Sequence, residues 1–247
     1  MAVAIITGAS SGIGAEYIKA VTELYPEIEE LWLIARREDK LKEQAEKYPD
    51  KKCVILPLDL GKEESLRTLE ETLKERSPDI KVLINDAGRG DKAMFESQEL
   101  EDMMNIVKLN CMGLMGMTKV CFPYIHKGGT IVQLSSTSAF VPNTNLTVYC
   151  ASKAFVKTFG LGLRQELKKR KINVCTVYPG LIMTDIVKDL SGAQRHVPKV
   201  SARDCAYKSL RGAKRGRGGY TTGAFYKCYR LLSKLLPQEL LVKFVGF

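Results

Sequence analysis

The run Ala2-Val-Ala-Ile-Ile-Thr7 followed directly by Gly8-Ala9-Ser10-Ser11-Gly12-Ile13-Gly14 decides the fold. The first six residues are apolar enough for a buried strand, and a helical pattern resumes after the glycines and runs to about Tyr25. Strand, glycine turn and helix, in that order, form the opening unit of a nucleotide-binding fold. The glycines let the backbone approach a pyrophosphate, whose charge then rests on the helix N-terminus. The spacing Gly-xxx-Gly-x-Gly differs from the commoner Gly-x-Gly-xx-Gly, and alone it also suits an ordinary tight turn. Its place straight after a first strand is what gives it meaning.

Reading outward, residues 31–35 form a second apolar run that ends at Arg36-Arg37. An acidic residue there would accept adenosine ribose hydroxyls, whereas arginines pair with a 2′-phosphate; a solvated loop is the other reading. Residues 53–58 predict a third strand closing on Asp59, 62–76 an amphipathic helix, and 81–84 a fourth strand closing on Asn85-Asp86-Ala87-Gly88. A helix from about Ser97 and another over about 107–125 follow, the second carrying Asn110; its Gly113 and Gly116 suggest close packing rather than chemistry. Strands at Thr130–Leu134 and Asn173–Tyr178 end at Ser135-Ser136 and Pro179-Gly180, and 219–222 reads as a last short strand. Such alternation predicts an α/β, doubly wound (Rossmann) parallel sheet with ligands at the carboxyl ends of its strands.

Between those last strands lies Tyr149-Cys-Ala-Ser-Lys153. Tyr149 and Lys153 are four apart, so on a helix they share a face and a ligand. With the Ser136 hydroxyl at the preceding strand end, the three groups can surround one carbonyl oxygen. An ammonium beside a phenol favours the phenolate. A downward shift of two to three units, about 3–4 kcal/mol, would make Tyr149 an acid/base near neutral pH. A helix-surface tyrosine beside a solvated lysine also fits the bare spacing; the order of the surrounding motifs favours the reactive arrangement.

At 247 residues and 45% hydrophobic content the chain suits one α/β domain with a sizeable core, spanning residues 1–247. Seven cysteines, odd in number and without Cys-x-x-Cys spacing, read as buried thiols in a reducing compartment. With two histidines, no metal site is expected. The apolar run starting at Ala2 leaves no room for a leader, and no uncharged apolar stretch is long enough to cross a membrane, so a cytoplasmic enzyme is the expectation. The net charge of +10 gathers at 168–171 and 211–217. It suits solvated ends and loops, or attraction to phosphates, acidic substrates or anionic lipid; no module for nucleic acid accompanies it, so none is expected as partner.

Residues 225–247 read as an amphipathic tail. Phe225, Cys228, Tyr229, Leu232, Leu235 and Leu236 fall on one stripe, with Lys227, Arg230 and Lys234 opposite, until Pro237 interrupts. Such a helix packs on its own domain, on a partner subunit, over the cleft, or peripherally on a membrane. Residues 181–190, apolar around Thr184, suit a lid over an apolar ligand or a helix on the core.

In this order the motifs resemble the short-chain dehydrogenase/reductase family, from Thr7 to about Thr184. The carriers are Thr7-Gly-Ala-Ser-Ser-Gly-Ile-Gly14, Asp59, Asn85-Asp-Ala-Gly88, Asn110, Ser136, Tyr149-xxx-Lys153 and Pro179-Gly180 with Thr184. Asp86 departs from the family's usual second asparagine. Beyond Gly223 the chain does not match the soluble members and looks more like microbial reductases with a basic helical C-terminus. The resemblance implies a sheet of about seven strands binding NAD(P), with Arg36-Arg37 selecting NADP(H). It also implies a homo-dimer or homo-tetramer. Catalysis would fall to Asn110, Ser136, Tyr149 and Lys153. Ser136 bonds the substrate oxygen, Tyr149 passes the proton, Lys153 holds the nicotinamide ribose and depresses the tyrosine, and Asn110 supports a relay water. Cofactor contacts would come from Gly8, Ser10, Ser11, Gly12, Ile13 and Gly14, from Arg36 and Arg37, and from Asp59 and Leu60 near the adenine. Asn85, Ala87 and Gly88 would add others, as would Tyr149, Lys153, Pro179, Gly180, Ile182 and Thr184. The implied reaction interconverts a ketone and a secondary alcohol on a largely apolar, hydroxysteroid- or bile-acid-like molecule. A 3-oxoacyl-thioester reductase and a non-catalytic NADP-binding sensor or scaffold are the alternatives.

Overall fold

The structure is a computed structural model that describes residues 1–182 and 197–245. Its strands are β1 (Ala2–Thr7), β2 (Glu30–Ala35), β3 (Lys52–Pro57), β4 (Asp79–Asn85), β5 (Thr130–Leu134), β6 (Asn173–Tyr178) and β7 (Gly219–Thr221). They form one sheet in the order β3-β2-β1-β4-β5-β6-β7, with every neighbouring pair parallel. The helices are α1 (Gly12–Leu24), α2 (Glu38–Ala45), α3 (Glu63–Arg76), α4 (Leu100–Val107), α5 (Leu114–Cys121), α6 (Thr147–Leu167), α7 (Ala202–Lys214), α8 (Ala224–Leu235) and α9 (Gln238–Val245).

Parallel strands need crossovers, the crossovers carry helices, and both sheet faces are therefore covered. In β1 the alternation is plain. Ala4 and Ile6 pack with Tyr17, Ile18 and Val21 of α1 and with Cys205, Ala206 and Leu210 of α7. Val3 and Ile5 point the other way, toward Leu69 and Leu73 of α3, Met117 and Cys121 of α5 and Leu167 of α6. The chain runs outward from β1 to β2 and β3, then returns to β4 on β1's other side. That reversal opens a crevice at the carboxyl ends of β1 and β4, where open α/β sheets hold ligands.

The two helices expected after Ser97 form one run. A 3₁₀ turn at Phe95–Ser97 precedes α4, and a π-helical turn, Lys108–Gly113, joins α4 to α5. Gly113 and Gly116 do serve packing. A Cβ on Gly113 would lie 2.5 Å from the Leu60 carbonyl oxygen, and one on Gly116 would overlap Leu66.

The tail corrects the expected stripe. Phe225, Cys228, Leu232, Leu235 and Leu236 are exposed, while Tyr226 is buried and Tyr229, Arg230 and Ser233 are half-buried. Arg230, placed above opposite the apolar stripe with Lys227 and Lys234, turns inward. Its guanidinium stands 4.7 Å from the Tyr178 ring and 5.4 Å from the Phe140 ring, and Nη1 donates to Thr221 Oγ1 at 3.1 Å. Stacking on aromatic faces lets a guanidinium pack where an ammonium would hold its water. Leu241 and Val242 of α9 join Phe140, Val141, Tyr178 and Tyr229 in a small separate core. Five of the seven cysteines are buried; Cys53 is half-buried and Cys228 exposed, so the expectation of uniformly buried thiols fails at those two. Among the described residues no helix is long and apolar enough to cross a membrane.

Gly113→Ala should destabilise the protein by about 1–3 kcal/mol in chemical denaturation, because the Leu60 backbone has little room to yield. Gly162→Ala, where no described atom lies within 4 Å of the added methyl, should be neutral or stabilise α6 by up to about 1 kcal/mol. Equal effects at the two sites would contradict the packing argument.

Candidate active site

The site begins at the turn between β1 and α1. Gly8 has φ +71°, and a Cβ there would sit 2.8 Å from Asp86 Oδ2. Ser11 precedes α1 in an extended conformation without a side-chain cap, and the helix's first turn has no acidic residue. Its positive dipole end faces the turn where Gly12, Ile13 and Gly14 were expected to act, and there the Gly14 N–H goes to the Asp86 carboxylate. Arg37, just past β2, donates through Nη2 to Ser10 Oγ and Ser11 Oγ, both at 3.3 Å. Arg36 and Arg37 are exposed, and neither is ion-paired among the described residues. Asp59 Oδ1 accepts the Gly61 N–H at 3.1 Å, shaping the turn beyond β3, and Leu60 is buried.

The turn after β4 is stitched to β1 by one hydroxyl. Thr7 Oγ1 accepts the N–H groups of Asp86 and Ala87 at 3.0 Å each and donates to the Ile84 carbonyl at 3.3 Å. Asn85 is 2% exposed, and its amide donates to Thr118 Oγ1 (3.0 Å) and Gln133 Oε1 (3.1 Å). Its side chain anchors the turn. Asn110, in the π-helical turn, makes a reciprocal pair with the Arg89 backbone: Oδ1 accepts the N–H at 2.9 Å, and Nδ2 donates to the carbonyl at 2.8 Å. Nδ2 also lies 2.9 Å from Ser152 Oγ. Gly88 keeps this neighbourhood open, since a Cβ there would meet Asn110 Oδ1 and Lys153 Nζ, both at 3.2 Å.

Lys153 is 6% exposed; its Nζ donates to the Leu134 carbonyl at 3.0 Å and stands 5.7 Å from the Tyr149 ring centroid. Burial lowers the Lys153 ammonium to about 8, with the Asp86 carboxylate pulling it back up. Asp86, whose carboxylate turns into the glycine turn, is pushed up by burial to about 7, against the pull of Lys153 and the Gly14 N–H. Burial also pushes the Tyr149 phenol up to about 12, opposed by a hydrogen bond with Ser136. A depressed tyrosine was expected from the Tyr149–Lys153 spacing, and the structure reverses that sign. Lys153 is itself desolvated and donates to the Leu134 carbonyl, and burial dominates at the phenol. Ser136 Oγ accepts the Ser138 N–H at 3.1 Å, Ser135 Oγ donates to the Lys153 carbonyl at 2.7 Å, and Gly90 packs against the Tyr149 ring.

On the far side, the Pro179 carbonyl accepts the Thr137 N–H at 3.0 Å, and the Gly180 N–H donates to Thr222 Oγ1 at 2.7 Å. Ile182 is buried and bridges to Val200. Thr184, and the proposed lid from Met183 onward, lie outside the described residues. Sequence reading missed Thr222, Tyr226 and the stitching role of Thr7. Thr7 opens the glycine motif, but a threonine at a strand end looks like any β-former, so a single sequence does not show its role.

A model of the family described as short chain dehydrogenase matches residues 2–195. The chain belongs to that family. It is 30% identical over 250 residues to the 11-beta-hydroxysteroid dehydrogenase-like 2 of Arabidopsis thaliana, covering 96% of this chain and 78% of that one. It also superposes on a short-chain dehydrogenase from Sphingobium yanoikuyae in complex with NADPH. There the TM-score is 0.79 at 26% identity, covering 98% of this chain and 95% of that one. A bulky-bulky ketone specific alcohol dehydrogenase from Comamonas testosteroni gives a TM-score of 0.78 at 25% identity, with coverage of 98% and 94%. This short-chain dehydrogenase is an oxidoreductase with the seven-stranded Rossmann-like sheet of its relatives. Its own geometry fits a dinucleotide. The α1 turn, Arg37, Ser10 and Ser11 gather anion donors at one end. At the other, the buried Lys153 ammonium donates to one acceptor among the described residues, the Leu134 carbonyl, so two of its three N–H groups can meet ribose hydroxyls.

Asp86→Asn should lower the Lys153 titration further, because it removes the one carboxylate that favours the charged ammonium. Lysine ¹³C NMR across pH 6–11 should show the Lys153 midpoint move down from about 8 by up to roughly one unit. An unchanged or higher midpoint would show that the two groups are not coupled.

Proposed function

We propose that this short-chain dehydrogenase is an NADPH-dependent oxidoreductase interconverting a ketone and a secondary alcohol on a largely apolar molecule. The observation that carries the reading is the convergence of Ser136, Tyr149 and a buried Lys153 at the carboxyl end of β5, beside Asn110. Residues 1–247 act as one catalytic unit in this reading, with 225–247 as its tail.

When bound, the nicotinamide supplies the hydride. The chain supplies an oxygen clamp and a proton. Ser136 Oγ accepts from Ser138, and its own O–H, paired here with the Tyr149 phenol, would turn to the substrate oxygen placed between the two. The phenol of Tyr149, with a pKa near 12, stays protonated at neutral pH and can give that proton to the developing alkoxide. Lys153 directs its remaining donors to the ribose, and Asn110 holds the water that resupplies the proton. Gly8, Ser10, Ser11, Gly12, Ile13 and Gly14 hold the pyrophosphate end, and Arg36 and Arg37 the 2′-phosphate. Asp59 and Leu60 would border the adenine, Asn85, Ala87 and Gly88 the adenosine side, and Pro179, Gly180 and Ile182 the nicotinamide side. The NADPH carried by the Sphingobium relative supports the cofactor. The steroid and bulky-ketone descriptions of the other two support an apolar substrate.

Two surfaces suggest where the enzyme works. Leu100, Met104, Met112 and Met115 of the α4–α5 run and Phe155 and Leu161 of α6 are exposed, which favours a homo-dimer or homo-tetramer. The outer face of the tail carries exposed Leu231, Leu232, Leu235, Leu236 and Leu240 with Lys227 and Lys234, which suits an anionic membrane surface touched peripherally by a cytoplasmic enzyme.

The kinetic test follows NADPH absorbance with a panel of apolar ketones. Tyr149→Phe should lower kcat by two or more orders of magnitude with little change in cofactor affinity. Wild type should favour NADPH over NADH, and Arg37→Ala should cut that preference about ten- to a hundredfold. Near-normal turnover without the phenol, or no cofactor preference to lose, would overturn the respective assignment. For the tail, protein should co-sediment with phosphatidylserine vesicles at low salt and release as salt rises. Leu231→Ser with Leu235→Ser should abolish this while sparing ketone reduction, whereas absence of vesicle binding by wild type would assign the exposed face to another partner.

A further inference from the structure

The turn after β6 is held from outside the catalytic core by one tyrosine of the tail. Tyr226, 6% exposed, lays its ring where a side chain on Gly180 would otherwise stand; a Cβ at Gly180 would overlap it. Its hydroxyl is used in both directions, accepting the Leu181 N–H at 2.9 Å and donating to the Pro198 carbonyl at 2.7 Å. Thr222, immediately before α8's Gly223 cap, takes the adjacent Gly180 N–H at 2.7 Å. The Val200 N–H donates to the Leu181 carbonyl at 2.8 Å, closing the same turn. On its inner side the turn is tied to the Ser136 loop, because the Pro179 carbonyl accepts the Thr137 N–H. The chain from Ser136 to Ile182 is therefore braced at one end by β5 and at the other by the C-terminal helix.

We propose that Tyr226 is a positioning residue for the nicotinamide half of the cofactor, acting through the Pro179–Gly180–Leu181–Ile182 turn. This rests on the dinucleotide reading given above. The turn stands beside Ser136 and away from Arg37, Ser10 and Ser11, so it borders the reacting end of a bound dinucleotide and not its adenosine end. The hydroxyl fixes a backbone N–H that otherwise has no partner within the turn. Its ring excludes any residue larger than glycine at 180. The tail is thereby a working part of the site as well as a surface element.

The test separates the two halves of the cofactor. Tyr226→Phe keeps the ring over Gly180 and removes the hydroxyl; Thr222→Val removes the neighbouring acceptor and serves if the first variant folds poorly. Binding is measured by titration of the purified full chain with NADPH and, separately, with adenosine 2′,5′-bisphosphate. NADPH should bind about three- to tenfold more weakly to Tyr226→Phe, as expected for losing one hydrogen bond to the backbone. The bisphosphate, which lacks the nicotinamide half, should bind as to wild type. Amide exchange should quicken at Leu181 while β1 to β4 stay protected. Unchanged NADPH binding in both variants, or equal weakening of NADPH and the bisphosphate, would overturn the proposal. Failure of wild type to bind either probe would instead overturn the dinucleotide reading itself.

Discussion

The buried charge of Lys153 is the constraint around which the site is built. An ammonium taken out of water is costly unless acceptors and an opposite charge replace its hydration. Here the Leu134 carbonyl is one acceptor and the Asp86 carboxylate the opposing charge. Each demands its own support. Ser135 Oγ ties the Lys153 backbone to the end of β5, fixing the height of α6 over the sheet. Gly88 leaves room for Nζ, and Asn110 packs against the same glycine from the π-helical turn. Asp86 is in turn held by the Gly14 N–H and, through its backbone, by Thr7. One buried cation thus links β1, β4, β5, α1, α6 and the α4–α5 run.

That network is possible because the sheet brings the strand ends together. All neighbouring strands are parallel, so every loop that follows a strand opens on one edge, and the order reverses between β1 and β4. Anion donors collect on the β1–β2 side, where Arg37 reaches Ser10 and Ser11. Proton-handling groups collect on the β5–β6 side, where Ser136, Tyr149 and Lys153 meet. The separation is chemically useful. In the proposed reading, positive charge serves a phosphate end, while the desolvated end keeps a phenol protonated and a lysine near its titration point.

Much of this was legible in the sequence because it depends on local pattern. Apolar runs ending in glycine or polar residues marked six of the strands within a residue or two, and the seventh, β7, needed only Gly219–Thr221. The Tyr149–Lys153 spacing is a helical face whatever surrounds it. What the sequence hid were consequences of burial at a distance. The phenol was expected to be acidified by its neighbouring lysine, yet its own burial raises it instead. The π turn that joins α4 to α5 carries Asn110 to the Arg89 backbone, a contact between distant residues that local spacing does not mark.

The tail shows the same limit from another side. Its apolar stripe was read by spacing alone, and spacing treats every arginine as solvent-facing. Arg230 breaks that assumption because Phe140 and Tyr178, far apart in sequence, present stacked faces to it; their centroids lie 4.8 Å apart. Once Arg230 and Tyr226 point inward, the helix is rotated and the leucines must face out. The rotation that exposes those leucines is the one that places Tyr226 over Gly180. A helix cannot present both faces to the domain, so what the tail contributes to the turn after β6 and what it offers to the outside are fixed by a single choice.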